Sequence, residues 1–186
     1  MPACAALVRL PSVTVPLGLL VPWHKQHYFD PAAPRANFRS RAFTFWGDTA
    51  LFPLVHAFLG ACVAGRDPDY RYLFDLLGTE LAANAVRHSR SGEPGGRYTL
   101  RVDRCAEGMT FTCRDGGLPE TRALDARARA HLSPDPAGLE ADAERGRGLA
   151  LVDALSTRWG DNGLATHRHV WFHLAYDLSE SKWRGA

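Results

Sequence analysis

The apolar pattern of this sequence changes sharply across one short glycine-rich segment, residues 91–96, and this change constrains the fold more than any other feature. Before it, apolar residues recur at spacings of three and four through residues 69–89, as on one face of a helix. After it, apolar and polar residues alternate at 98–102 and again at 109–113, as in strands with one buried face. The chain therefore predicts a long helix followed by an antiparallel hairpin.

The flanking segments predict further elements on both sides of this unit. In chain order they are a strand at 41–46, a helix at 50–64, a long connection at 116–145, a helix opening at Gly146, and strands at 158–159 and 170–174. A charged, alanine-rich run at 125–131 within the connection predicts a short helix. This order indicates an α/β (α+β) two-layer sandwich, with a mostly antiparallel mixed sheet and the helices on one face.

The chain is expected to divide into three parts. Residues 1–40 carry repeated prolines without a helical period and are expected to form an irregular N-terminal extension outside the core. Residues 41–176 contain every predicted core element and form one domain, and residues 177–186 are expected to be a loose tail.

Composition narrows the class of protein. With 186 residues, 46% hydrophobic residues and a net charge of +2, the chain is an ordinary globular sequence. Its arginines are dispersed and no interleaving of aromatic and basic residues forms a stacking platform, so nucleic acid binding is not expected. The apolar stretch at 10–23 is interrupted by prolines and too short to span a membrane, and the four cysteines have no metal-binding spacing. A cytoplasmic protein with reduced thiols is expected.

Glu80 and Asn84 stand four residues apart on the long predicted helix, and therefore on one face of it. Leucines flank the pair, so this face is turned at least partly toward the sheet. A carboxylate and an amide there need polar partners, and Mg²⁺ with its water ligands is one such partner. The alternative is a pair of solvated polar residues.

Asp115 directly follows the second hairpin strand and precedes two glycines. A carboxylate at this strand end can accept a hydrogen bond from the exocyclic amine of adenine, and Gly117 lets the backbone approach the ring. The same Asp-Gly-Gly sequence is also ordinary turn chemistry.

Gly146, Arg147 and Gly148 open the helix that follows the long connection. Free backbone N–H groups and the helix dipole at such a position favour phosphate, and Arg147 adds positive charge. Glycines at this position could equally be the hinge of a mobile loop.

These three motifs, in this order, resemble the GHKL superfamily of ATPases (gyrase, the heat-shock chaperone, histidine kinases and mismatch-repair ATPases). The stretches 80–88 and 146–152, with Trp159-Gly160 and Val170-Trp171, are most similar to its anti-sigma-factor serine/threonine kinase branch. The resemblance covers residues 41–175 and implies the Bergerat ATP-binding fold. Pro119 departs from the family pattern, which often has glycine at this position of the adenine motif.

The resemblance implies a role for each motif. Asn84 would ligate Mg²⁺, Glu80 would be the catalytic general base, and Asp115 with Gly117 would bind adenine. Further nucleotide-binding residues would be Arg87, His88, Gly146, Arg147, Gly148 and Leu149.

The implied function is regulatory. The protein would bind ATP and Mg²⁺, phosphorylate a serine or threonine of an antagonist protein, and bind a sigma factor. The resemblance is also compatible with a homodimer. Two alternatives stay open: an ATP-dependent binding module without catalysis, and an interaction domain that has lost ATP binding.

Overall fold

The structure is a computed structural model that describes residues 14–32, 38–118, 131–139 and 146–183. Its centre is a five-stranded sheet in the order β1-β2-β3-β5-β4. All neighbouring strands in it are antiparallel, so the predicted α+β fold is confirmed, whereas the expected mixed character of the sheet is not found in these residues. The strands are β1 Ser40–Trp46, β2 Arg97–Arg104, β3 Gly108–Arg114, β4 Arg158–Asp161 and β5 His169–Ala175.

In the described residues, three longer α-helices accompany the sheet, and a short helix, α1 (Leu17–Leu20), precedes it. They are α2 (Phe52–Val63), α3 (Pro68–His88) and α4 (Arg147–Leu155). The start of α3 follows from its sequence, because the Asp67 side chain accepts a hydrogen bond from the Asp69 N–H at 2.9 Å and a proline follows Asp67.

The hydrophobic core lies between the sheet and the helices. Alternate residues of β2 and β3 are buried, as the sequence pattern predicts. Phe111 of β3 lies at the centre, with its ring centroid 6.1 Å from that of Phe74 on α3 and 5.1 Å from that of Phe172 on β5. This packing fixes the polar face of α3 relative to the ends of β3 and β5.

The N-terminal segment 14–32 belongs in part to this core, contrary to the expectation that it lies outside. Val21 and Phe29 are 1% and 6% exposed. The Phe29 ring lies 4.9 Å from that of Phe43 on β1 and 5.8 Å from that of Phe58 on α2. Local periodicity could not predict this, because isolated apolar residues between prolines gain their partners only in the tertiary structure.

The described end of the chain is also packed rather than loose. The Lys182 N–H donates to the Ala154 carbonyl at 3.0 Å, and the Trp183 indole N–H donates to Asp69 Oδ2 at 3.1 Å. Residues 177–183 therefore contact both α4 and α3.

Further sequence predictions concern the long connection, the cysteines and membrane spans. Pro119 and residues 125–130 of the predicted short helix lie outside the described residues, and His131 is not helical. Within the described parts of the chain, Cys62, Cys105 and Cys113 are free thiols, as expected. None of the helices there combines the length and apolarity that crossing a membrane requires.

Phe29→Ala tests whether the N-terminal segment is part of the core. Loss of this buried ring is expected to lower the free energy of unfolding by about 3–5 kcal/mol, measured by urea denaturation. Trp23→Ala in the same segment is the control: its side chain is 84% exposed, so a change within about 0.5 kcal/mol is expected. Equal effects of both variants would contradict the packing of Phe29.

Candidate active site

A cavity of about 1330 Å³ lies between the end of α3, the end of β3 and the start of α4. It is large enough to accept a nucleotide-sized ligand. All ten residues that the sequence singled out line this cavity: Glu80, Asn84, Arg87, His88, Asp115, Gly117, Gly146, Arg147, Gly148 and Leu149. Three segments distant in the sequence therefore meet at one site.

Glu80 and Asn84 face the start of α4 across a very short gap. A Cβ atom on Gly148 would lie 2.6 Å from Glu80 Oε2 and 3.4 Å from Asn84 Nδ2. A Cβ atom at position 148 would force the Glu80 carboxylate to shift, so glycine lets α4 approach both side chains without displacing it. The two residues are partly buried, so the alternative of two fully solvated polar residues does not describe them.

The first turn of α4 carries no side-chain cap. Gly146 occupies the N-cap position in the left-handed conformation (φ 78°), which favours glycine. Residues 146–149 line the cavity, so the uncapped end of the helix adjoins it. Such an end has backbone N–H groups without intrahelical partners and favours an anion. Arg87 and His88, in the last turn of α3, add exposed basic side chains to the cavity wall.

Asp115 is held in place by backbone groups. Its Oδ1 accepts hydrogen bonds from the Gly117 N–H at 2.7 Å and from the Arg168 N–H at 3.3 Å. Gly117 has φ 72°, and a Cβ atom there would lie 2.2 Å from the carbonyl oxygen of Thr166. The turn thus requires glycine at position 117. The two hydrogen bonds to Oδ1 fix the orientation of the Asp115 carboxyl group.

Ser91, which the sequence analysis did not single out, joins this turn to the end of α3. It is buried; its Oγ donates to the Arg97 carbonyl at 2.8 Å and accepts from the Gly116 N–H at 2.9 Å. The Arg90 N–H donates to the Gly117 carbonyl at 2.8 Å. The glycine-rich segment that ends the helical pattern is therefore also the support of Asp115.

The surroundings of Asp115 are largely apolar. Cys113 and Val170 pair across β3 and β5 and line the cavity beside it with Leu81, Ala85 and Leu118. Burial raises the pKa of Asp115 above its usual value, against the opposing effect of the Gly117 and Arg168 N–H groups. A carboxylate between apolar side chains is suited to accept a hydrogen bond from an N–H group carried by a flat, uncharged ring.

Several cavity residues gave no signal in the sequence because they reach the site only through tertiary pairing. Arg168 precedes β5, and Leu132, Ser133 and Asp135 belong to the long connection. Part of that connection is anchored by Asp161 at the end of β4, whose side chain is 1% exposed. Its oxygens accept from the Leu132 N–H at 2.6 Å and bind His131 Nδ1 at 2.8 Å.

The donor groups around Asn84 suit a magnesium ion that takes few of its coordinating atoms from the protein and most of them from a bound molecule and water. The described residues contain no group of three or more His, Cys, Asp or Glu side chains that could hold a metal. An amide oxygen of Asn84, with the Glu80 carboxylate beside it, is suited to Mg²⁺ that takes its other ligands from phosphates and water.

A sequence model of one protein family matches residues 49–162, and its description is "Histidine kinase-like ATPase domain". The match spans more than half of the chain and includes all ten predicted site residues. The chain therefore belongs to the histidine kinase-like ATPase domain family, within the GHKL superfamily, and this membership implies ATP binding.

The carboxyl groups of Asp115 and Asp161 are expected to affect the stability of the fold in opposite directions as pH changes. Because the pKa of Asp115 is raised in the folded state, its ionisation costs stability as pH rises from about 3.8 through the raised value. At Asp161 burial raises the pKa, but the N–H groups of Leu132 and Gly163, with His131 and Arg168, outweigh it and lower the pKa. That group stabilises the fold above about 3.8, and the contribution is lost as pH falls through the lowered value.

At pH 7, Asp115→Asn is therefore expected to raise the free energy of unfolding, and Asp161→Asn to lower it. Urea denaturation at pH 7 measures both changes. At pH 3 the difference between the two variants is expected to shrink. Destabilisation by Asp115→Asn at pH 7 would contradict the raised pKa.

Proposed function

We propose that this chain is an ATP-dependent regulator of the anti-sigma-factor kinase type. It binds ATP with Mg²⁺ in the cavity and transfers the γ-phosphoryl group to a serine or threonine of an antagonist protein. The observation that carries this proposal is the close approach of Gly148 to Glu80 and Asn84, where an added Cβ atom would lie 2.6 Å from Glu80 Oε2. This approach brings a carboxylate and an amide to the start of α4, the end that we propose binds phosphate.

Each end of the cavity has a separate task. The uncapped first turn of α4 and Arg147 would bind the phosphates, and Asn84 would hold the magnesium ion. When bound, that ion would supply electrostatic stabilisation of the charge that develops on the phosphoryl oxygens. At the other end, Asp115 accepts a hydrogen bond from the adenine amine, and the apolar residues around it bind the ring.

The transfer step assigns Glu80 as general base. The acceptor hydroxyl oxygen attacks the γ-phosphorus, and the bond from that phosphorus to the β,γ-bridging oxygen breaks. ADP leaves with the bond electrons, and the hydroxyl proton passes to the Glu80 carboxylate, directly or through one water molecule. Glu80 lies beside the helix end that holds the phosphates, which is where this proton is released.

Two other functions use the same cavity differently. An ATP-dependent binding module would use the nucleotide only to order the long connection 116–145 and a partner surface, with Glu80 orienting water. An interaction domain without nucleotide would keep the fold alone. The proposed partner proteins are a sigma factor, an anti-sigma-factor antagonist protein, or both, together with a second copy of this chain in a homodimer.

Titration with a fluorescent ATP analogue tests nucleotide binding. We expect binding that EDTA weakens, and Asn84→Ala is expected to remove this magnesium dependence. Asp115→Asn is expected to weaken binding about tenfold or more. Its amide oxygen must take the Oδ1 position that accepts two backbone N–H groups, which turns its NH₂ group toward the adenine amine. Absence of binding to the wild-type protein would leave the interaction domain.

Single-turnover assays with [γ-³²P]ATP and a soluble extract of the source organism test the chemistry. Wild-type protein is expected to label serine or threonine of an extract protein, and Glu80→Gln is expected to slow labelling about 10²–10⁴-fold while ATP binding is retained. Glu107→Gln, at the exposed β2–β3 turn, is the control and should label normally. ATP binding with neither transfer nor phosphate release would favour the binding module.

A further inference from the structure

The face of the sheet that points away from the core carries three exposed arginines. On β2, buried core residues alternate with residues of this outer face, and Arg97 and Arg101 are the exposed ones. Arg114, the exposed last residue of β3, lies on the same face because it pairs with Thr99 of β2. None of the three arginines lines the cavity described above.

The strand register brings these three arginines together. Arg114 lies directly opposite Thr99, so its diagonal neighbours on β2 are Arg97 and Arg101. Diagonal neighbours in an antiparallel pair lie about 7–8 Å apart, which is within reach of long side chains. Three exposed positive charges therefore surround Thr99, and Arg97, Arg101 and Arg114 are called the arginine patch below.

Little negative charge compensates the arginine patch. Within the part of the chain that the structure describes, the patch forms one ion pair, between Arg101 Nε and Asp103 Oδ2 at 2.8 Å. His169, which pairs with Arg114 from β5, adds no negative charge, and burial together with Arg114 lowers its pKa. Like charges this close repel one another, so a negatively charged partner on this surface is stabilising.

The surroundings of the patch suit the carboxylates of a protein better than a nucleic acid strand. A single strand needs free aromatic faces on which its bases stack. Trp46 pairs with Arg97 and is exposed beside the patch, but the guanidinium already occupies a face of its ring, with Cζ 3.6 Å from the ring centroid. Guanidinium groups, in contrast, match carboxylates through two parallel hydrogen bonds.

The spacing of the arginines indicates how such a protein segment would bind. Alternate residues of an extended chain lie about 6.5–7 Å apart and point to the same side. This distance is close to the separation of Arg114 from each of its two diagonal neighbours. Carboxylates at alternate positions of an extended segment can therefore meet two arginines at once.

We propose that the arginine patch is a docking surface for an acidic segment of a partner protein, which binds in extended form with carboxylates at alternate positions. Arg97 and Arg114 each bind one carboxylate, and Arg101 adds positive charge beside Asp103. Arg114 points away from the face on which Cys113 borders the cavity. Docking on this surface therefore requires neither ATP nor the proposed phosphoryl transfer.

Fluorescence anisotropy with two short labelled peptides tests this surface. The probe alternates four glutamates with four threonines, and the comparison peptide has glutamine in place of each glutamate. We expect wild-type protein to bind the glutamate peptide about tenfold more tightly than the glutamine peptide, and added salt to reduce this preference. A large excess of Mg-ATP is expected to leave the binding unchanged.

Arg97→Ala and Arg114→Ala are each expected to weaken binding of the glutamate peptide about threefold to tenfold, because each removes one guanidinium. Arg71→Ala removes the same charge from an exposed position of α3 and is the matched control, which should bind like the wild-type protein. Equal losses in Arg71→Ala and Arg114→Ala would mean that only net charge matters, and would overturn the inference.

Three results with the wild-type protein alone would also overturn the inference, and none of them needs a folded variant. The first is equal binding of the two peptides. The second is displacement of the glutamate peptide by Mg-ATP, which would place it in the cavity instead. The third is tighter binding of a labelled thymidine pentanucleotide, whose four phosphodiester groups match the charge of the glutamate peptide. Failure to bind ATP would reject the proposed nucleotide site and leave this surface unaffected.

Discussion

The site depends on the burial of one face of α3 between the sheet and α2. Phe74, Leu77 and Leu81 are almost completely buried on that face, and Phe74 contacts Phe111 of β3. Because α3 is one continuous helix, this packing also fixes the direction of Glu80 and Asn84. Gly148 then sets how closely α4 approaches them. Packing of apolar residues thus determines where the polar groups of the cavity lie.

The local elements of the fold could be predicted from the sequence because each rests on a short-range pattern. The helical spacing before residue 91 and the alternation after residue 96 correspond to α3, β2 and β3 within one or two residues. The strand order and the packing of Phe29 and Trp183 could not be predicted, because they depend on contacts between residues far apart in the chain.

The same distinction applies to the cavity. Residues carried by recognisable motifs, such as Asn84, Asp115 and Gly146, were predicted and do meet there. Ser91 and Arg168 were missed for different reasons. Ser91 stands in a segment whose composition indicates only a turn, whereas its hydroxyl bridges two backbone groups. Arg168 reaches the cavity because β5 pairs with β3 in one particular register, and a single sequence contains no signal of that register.

Asp161 imposes a constraint on how this protein can diverge. One buried carboxylate holds both the start of the described connection, through Leu132, and the guanidinium of Arg168. Any replacement of Asp161 affects both the position of Leu132 and the orientation of Arg168. A substitution at this residue therefore cannot change one of the two without the other. Leu132 is the point at which the connection is tied to Asp161. Loop grafts that begin after Leu132 would therefore leave the base end of the cavity intact, whereas grafts that begin before it would not.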